Sequence, residues 1–317
     1  MYRILLLAFL FIILCSPSLH CQNSIILVNA DSVIGYVINN APFRNFIGNV
    51  HLRQGNIDLF CNRAVQNLES NSATLSGSVR IVQDTLILVS EYIEFDGNKS
   101  FASSPSSIEI KDPQNFLRAN FGTYDFKSKV AVFVDSVVYK EKQISIFANK
   151  VEYNRNTQVV VCYGNVNVET DSLNLFCDTL TYDKTKNTIF ASSNVTTKPK
   201  YENILSHSGK LIYERARRYS KNFESPFLLL IDTIKTSDNT ENIQLDTLFI
   251  FADTLVSENS DNELILSFQN NVKLFKGDLT SVGEFGKIYE KSEWGYLIGK
   301  PVVWFDSTEL RGDSLFL

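Results

Sequence analysis

A β-branched residue recurs along this chain behind a pair of small or polar residues. The series is Val50 after Gly48-Asn49, Val79 after Gly77-Ser78, Ile108 after Ser106-Ser107, Val137 after Asp135-Ser136, Val166 after Gly164-Asn165 and Val195 after Ser193-Asn194. Each member lies 29 residues beyond the last. A second marker keeps the same step: Phe95-Asp96, Tyr124-Asp125, Tyr153-Asn154 and Tyr182-Asp183. Two markers in one register over about 150 residues identify an internal repeat.

Counting from the marker as position zero, apolar or small residues fall at 0 and +2 and again at +7, +9 and +11, as in Val79, Ile81, Leu86, Leu88 and Ser90. That is period two, the mark of a strand with one buried face. The parity then flips, and the next inward pair is +14 and +16: Ile93 and Phe95, Val151 and Tyr153, Leu180 and Tyr182. A one-residue slip would expose a whole face, so a flip at the same place in every unit requires a bulge or bend. Turn residues follow, such as Asp96-Gly97-Asn98 and Asp183-Lys184-Thr185. Each unit is therefore two bent antiparallel strands, and no helical period separates them. The fold class is all-β, an elongated jelly-roll-like trough folded over its apolar face. Two strands per unit give a rise of roughly 10 Å, and eight or nine units a body about 80 Å long.

Regularity falls off after Val195. Residues 22–197 are expected to be regular repeats, 198–241 an irregular insertion and 242–317 further repeats. The insertion holds Lys198-Pro199-Lys200, Arg215-Ala216-Arg217-Arg218 and Ser225-Pro226. After it, Ala252-Asp253-Thr254-Leu255 repeats Cys177-Asp178-Thr179-Leu180. Leu317 falls where Tyr182 sits, inside a unit, so the chain is expected to be truncated or to pair its last edge with another molecule. At the other end, Met1-Tyr2-Arg3 precedes an apolar run from Ile4 to Leu14 and then a polar break, the layout of a secretory signal over 1–21. The run is too short to cross a bilayer. Leu14 and His20 stand where a lipidated cysteine needs a small residue, so cleavage after Cys21 is expected without lipidation.

Composition removes several functions. Apolar residues make up 44% and charged residues 21% of 317, so the chain is neither disordered nor fibrous. A net charge of −5 is a poor match for a nucleic-acid backbone, and no nucleic-acid partner is expected. Three histidines leave little for metal or imidazole chemistry, and no Gly-rich phosphate loop or nucleophile elbow is present. No enzyme activity, metal or cofactor is expected.

The repeat resembles the OstA-like proteins, related to the LptA bridge and the N-terminal domain of LptD in lipopolysaccharide transport. The residues that carry the resemblance are Ala30-Asp31-Ser32, the run from Phe46 to Gly55, Cys61-Asn62-Arg63-Ala64, Gly77-Ser78-Val79-Arg80-Ile81, Asp84-Thr85-Leu86 and Phe95-Asp96-Gly97. It covers most of Ala30 to Val195 and returns after Asn242. It implies a periplasmic β-jelly roll, peripheral to the membrane, whose apolar slit holds the acyl chains of lipid A. It also implies edge-strand pairing with other jelly-roll proteins of a bridge towards the outer membrane. The insertion, and the absence of a large C-terminal barrel from the sequence, depart from the family's compact bridge and its translocon respectively.

The inward positions are the candidate lipid contacts: Leu52, Leu59, Ile81, Leu88, Ile93, Phe95, Ile110, Leu117, Tyr124, Ile146, Val151, Tyr153, Val168, Leu175, Leu180 and Tyr182. The same pattern also describes a repeat scaffold whose core is closed and binds nothing, such as an adhesin-like structural protein. The small residues at +11 (Cys61, Ser90, Ala119, Ala148, Cys177, Ser206) either let two halves close together or leave room for a chain. Cys61 and Cys177 sit four units apart, roughly 40 Å, beyond the ~7 Å Cα limit of a disulfide. Cys61, Cys162 and Cys177 are therefore expected to be buried thiols. The aspartates after the aromatics are expected to cap turns. The run Arg215-Ala216-Arg217-Arg218 is either a solvated face or a contact for headgroup phosphates.

Overall fold

The computed structural model describes residues 24–200, 203–235, 243–260, 263–292 and 294–316; the expected signal segment lies outside them. The described residues form one antiparallel sheet of 26 strands, with a single 3₁₀ turn at Arg215–Arg217. Strands pair with their sequence neighbours, as in Ala41–Gln54 with Ile57–Asn67, Ser72–Gln83 with Leu86–Asp96, and Val130–Glu141 with Ile144–Asn154. The all-β jelly-roll reading and the unit of two bent strands are what the structure shows.

The bend has a specific backbone. The two residues before every marker but Ile108 both adopt positive φ, as in Gly77 76° and Ser78 49°, Asp135 66° and Ser136 52°, Gly164 72° and Asn165 49°. Two left-handed residues in succession reverse the pleat, and Gly, Asn, Asp and Ser tolerate that region best. The pair breaks the register between Ser76 and Val79, where Ser76 faces Tyr92 and Val79 faces Ser90. Gly77 and Ser78 thus stand opposite Glu91 alone. On that partner strand the inward side passes from Ser90 to Ile93, which is the parity flip read from the sequence. Position +12 staples the bends together. Asn120 Nδ2 donates to Asp135 (2.7 Å) and Asn194 Nδ2 to Asp178 (2.7 Å), and ahead of the first marker Asn49 Nδ2 donates likewise to Asp31 (3.0 Å). The +11 residues, small throughout, are buried beneath these bends.

Because every strand bends at one level, the two halves of each unit pack face to face over a common core. One cluster runs from Ile25 to Tyr213 and a second from Ile204 to Leu297. In the unit containing Pro105 the bend is wider and the strands are split, as Phe101–Ser104 and Ile108–Lys111. There Ser90, Ser104 and Ser106 bond to one another in place of a left-handed pair.

Residues 203–235, expected as an irregular insertion, instead extend the ladder. The strand Ile204–Glu214 pairs with Tyr219–Phe223 and with Phe227–Lys235. What is lost there is the register. After Ser206 the inward positions run Ser208, Leu211 and Tyr213, two residues late, and two of the inward residues are serines. Polar inward residues and a shifted spacing hid the strand from a hydrophobic pattern. The rest of the stretch, 236–241, lies outside the described residues.

The turn aspartates cap as expected. Asp96 accepts the Lys99 N–H (3.1 Å), Asp125 those of Lys127 and Ser128 (2.8 and 3.0 Å), and Asp183 those of Thr185 and Lys186 (3.0 and 3.1 Å); Asn154 does the same for Asn156 and Thr157. At Asp96 and Asp125 burial works against the charge, and the bonds from Lys99 and Ser128 outweigh it, so both carboxyls are held below their ordinary value. At Asp183 the Lys186 ammonium and the Thr185 hydroxyl hold it well below.

Two predictions follow from the bend and the turns. Gly77→Val places a Cβ 2.9 Å from Asn62 Nδ2 at a φ of +76°, and is expected to cost about 1–3 kcal/mol in urea unfolding. A carboxyl held low contributes stability that is complete above its unfolded value of about 3.9 and is lost as pH falls through the folded value. The variant Asp96→Asn/Asp125→Asn/Asp183→Asn keeps the caps, as Asn154 shows. Lacking the charge, it should melt below the parent at neutral pH and approach it between about pH 4 and pH 2, as the parent's carboxyls protonate.

Candidate functional site

All sixteen candidate residues point inward and are at most 3% exposed, within the first core. The strands place them there by alternation: Ile81 faces both Leu59 and Leu88, and Ile146 faces Val168, which faces Leu175. The file is continuous from Leu52 to Tyr182. Aromatic residues cluster within it, with Tyr124 edge-on to Phe126 (4.8 Å) and Tyr139 edge-on to Tyr153 (5.9 Å). Beside the second core a small cleft opens between Ile204, Leu228, Leu255, Leu266 and Phe268, with Ser206, Ser220 and Asn222 on its polar side.

The bends form a spine along one side, and the hairpin ends meet along the other in a seam. Position +4 of one unit crosses the seam to position +18 of the next. In the first unit the crossing is neutral: Gln54 Nε2 donates to Gly97 O. Two units on it is ionic, Arg155 Nε to Asp112 at 3.4 Å, and one further it is Lys184 Nζ to Glu141 at 3.1 Å. The backbone sets the +18 residue. Its N–H donates to the carbonyl that closes the previous turn, Arg155 to Lys129 (3.0 Å) and Lys184 to Gln158 (3.1 Å); in the next unit, where the spacing runs two residues late, Arg215 at +20 donates to Asn187 (3.1 Å). Lys129, Gln158 and Asn187 all have positive φ.

Tyrosine hydroxyls tie the core to these charges. Tyr182 OH donates to Glu141 (2.6 Å) and accepts from Arg215 (3.1 Å); Tyr139 OH lies 2.8 Å from Asn115 Oδ1 and 3.1 Å from Glu141; Asn115 Nδ2 donates to Tyr153 OH (3.2 Å). Burial pushes Tyr153 up to about 12; burial, with Glu141 adding, raises Tyr139 and Tyr182 further. These phenols stay protonated and serve as donors. Of the arginine run, Arg215 belongs to the seam, whereas Arg217 is exposed and pairs with Glu214.

A hydrophobic pattern does not reveal the seam, since its contacts join residues 43 apart and vary in type. A signal was present nonetheless: Asp112 and Glu141 are 29 apart, as are Arg155 and Lys184. The cysteines Cys61, Cys162 and Cys177 are buried and free, and burial pushes Cys61 up to about 11 and Cys177 to about 12. His51 is engaged structurally, bonded to Asp58 (2.7 Å) and stacked on Phe60.

A bent-strand repeat with a common apolar core and a polar seam defines a class, and comparison with known proteins shows what it is similar to. Residues 22–172 match the family described as OstA-like protein, and residues 145–256 match the one described as LptA/(LptD N-terminal domain) LPS transport protein. Over these two overlapping segments the chain is similar to the OstA-like proteins and to the LptA/LptD N-terminal group of lipopolysaccharide transport. Among solved structures it is similar to LptH of Pseudomonas aeruginosa, described as the LptA homologous periplasmic component of the conserved lipopolysaccharide transport device. The identity is 16% over 42% of this chain and 92% of that one, with a TM-score of 0.33. No curated protein matches the sequence.

The seam geometry sets a stability prediction. Lys184 and Glu141 expose only 10% and 16% of their side chains. Removing one partner of such a pair leaves a buried charge, so Lys184→Met is expected to cost about 3–5 kcal/mol. Lys184→Met/Glu141→Leu should cost distinctly less, as read by urea unfolding of both variants.

Proposed function

We propose that this protein is a non-enzymatic carrier in lipopolysaccharide transport, working in the periplasm, which shields the acyl chains of lipid A inside the trough while the sugars stay in water. The observation that carries the reading is the unbroken file of inward apolar side chains from Leu52 to Tyr182. Burial of a chain there contributes roughly 0.8 kcal/mol per CH₂, a term that grows with the number of acyl chains. Directed movement comes from outside the chain.

The first strands support a bridge role. Ser32–Ile38 pairs only with Ala41–Gln54 among the described residues. It exposes apolar side chains on both faces, with Val37 67% exposed beside Val33, Ile34 and Ile38. A long apolar edge of this kind is a template for another strand. Its partner in this reading is the edge of another jelly-roll protein of the bridge.

One observation favours a second reading, that of a ligand-free scaffold: the inward residues are nearly all at zero exposure, as in a closed core. Native mass spectrometry separates the two. Protein mixed with lipid A is expected to carry a stoichiometric adduct of lipid A mass, reduced by Val168→Asp in a variant shown to be folded by its circular dichroism. An apo mass at saturating lipid establishes the scaffold.

A further inference from the structure

The Glu141 carboxylate occupies a pocket built of donors. Tyr182 OH (2.6 Å), Tyr139 OH (3.1 Å) and Lys184 Nζ (3.1 Å) reach it, and Arg215 Nη1 stands at 3.8 Å. A phosphate oxyanion accepts from the same kinds of donor, a hydroxyl, an ammonium and a guanidinium, that serve this carboxylate. One repeat away, about 10 Å by strand spacing, Arg155 faces Asp112, whose carboxylate also accepts from the Gln114 and Asn115 N–H groups and from Asn115 Nδ2. Three cations therefore meet two carboxylates in the seam, a local surplus of positive charge in a chain of net charge −5. Closing the seam does not call for charge, because Gln54 and Gly97 close it neutrally at the equivalent place. A buried ion pair seals no better than a neutral or apolar contact, so the charges here have another use.

We propose that these two places are the sites for a pair of phosphates on the ligand's headgroup, with Glu141 and Asp112 occupying them until the ligand arrives. As acyl chains enter the seam, phosphate esters replace the carboxylates on Lys184, Arg215 and Arg155, and the displaced carboxylates turn to water. The tyrosine hydroxyls remain at the boundary between the apolar interior and the charged rim. The inference rests on the carrier reading and specifies which part of the amphiphile the seam recognises.

The test measures binding of two probes, lipid A with both phosphates and the same lipid dephosphorylated, to the full chain and to variants whose thermal melts show them folded. Glu141→Gln removes the competing carboxylate and should bind phosphorylated lipid A several-fold more tightly. Arg155→Gln/Lys184→Gln should bind it at least tenfold more weakly. Neither variant should change binding of the dephosphorylated lipid. A structural role for the seam predicts instead that both variants weaken, and shift the two lipids alike; that result overturns the headgroup assignment and leaves the carrier reading intact. Stabilisation of the parent by millimolar inorganic phosphate without lipid gives the pocket to free phosphate and also overturns it. Failure of the parent to bind either lipid overturns both readings.

Discussion

The structure depends on one backbone constraint: every strand in the ladder must bend at the same level. A strand that bent elsewhere would break its hydrogen bonds with both neighbours, and a strand that did not bend would leave its second half unpaired with the first across the core. The left-handed pair at Gly77-Ser78 and its counterparts meet that requirement with a fixed backbone shape, and the +12 side chains, Asn120 and Asp178 among them, lock successive bends together. The repeat length follows from this. Two strands, two turns and one bend level take 29 residues, and the core continues only while that count is kept. Where it is not kept, after Ser206, a cleft with a polar side opens beside the second core.

The spine and the seam differ in chemistry for a physical reason. The spine is covalently continuous through every bend, and short Asn, Asp and Ser side chains finish it. At the seam the two halves meet only through side chains of the hairpin ends, so closure there is non-covalent and separable. Tyr139, Tyr153 and Tyr182 suit that boundary, since each buries a ring and presents a hydroxyl to the polar rim. An interior that admits a guest needs one stiff side and one separable side, and this fold supplies both.

Much of this was legible in the sequence. The markers located the bends to within a residue, the parity flip assigned the inward faces, and Asp96, Asp125 and Asp183 announced their turns. The backbone of the bend was not legible, because a flip in hydrophobic parity on one strand does not say that its partner holds two left-handed residues. Nor was the continuation through Ile204–Lys235, where Ser208 occupies an inward position that a hydrophobic count reads as outward and the spacing after Ser206 runs two residues late. The seam escaped for a different reason. Its partners meet only after the sheet has folded over, so their pairing is a property of the closed trough rather than of any segment.

The central claim is that the trough opens along the seam and not along the spine. Spin labels at Thr85 and Lys129, which line opposite hairpin ends of the same groove, report the seam width by pulsed electron–electron resonance. The account predicts that their distance distribution widens when lipid A binds, while a pair placed on either side of the bends at Ser78 and Asn165 keeps its distance. A seam distance unchanged in protein that carries bound lipid A contradicts it.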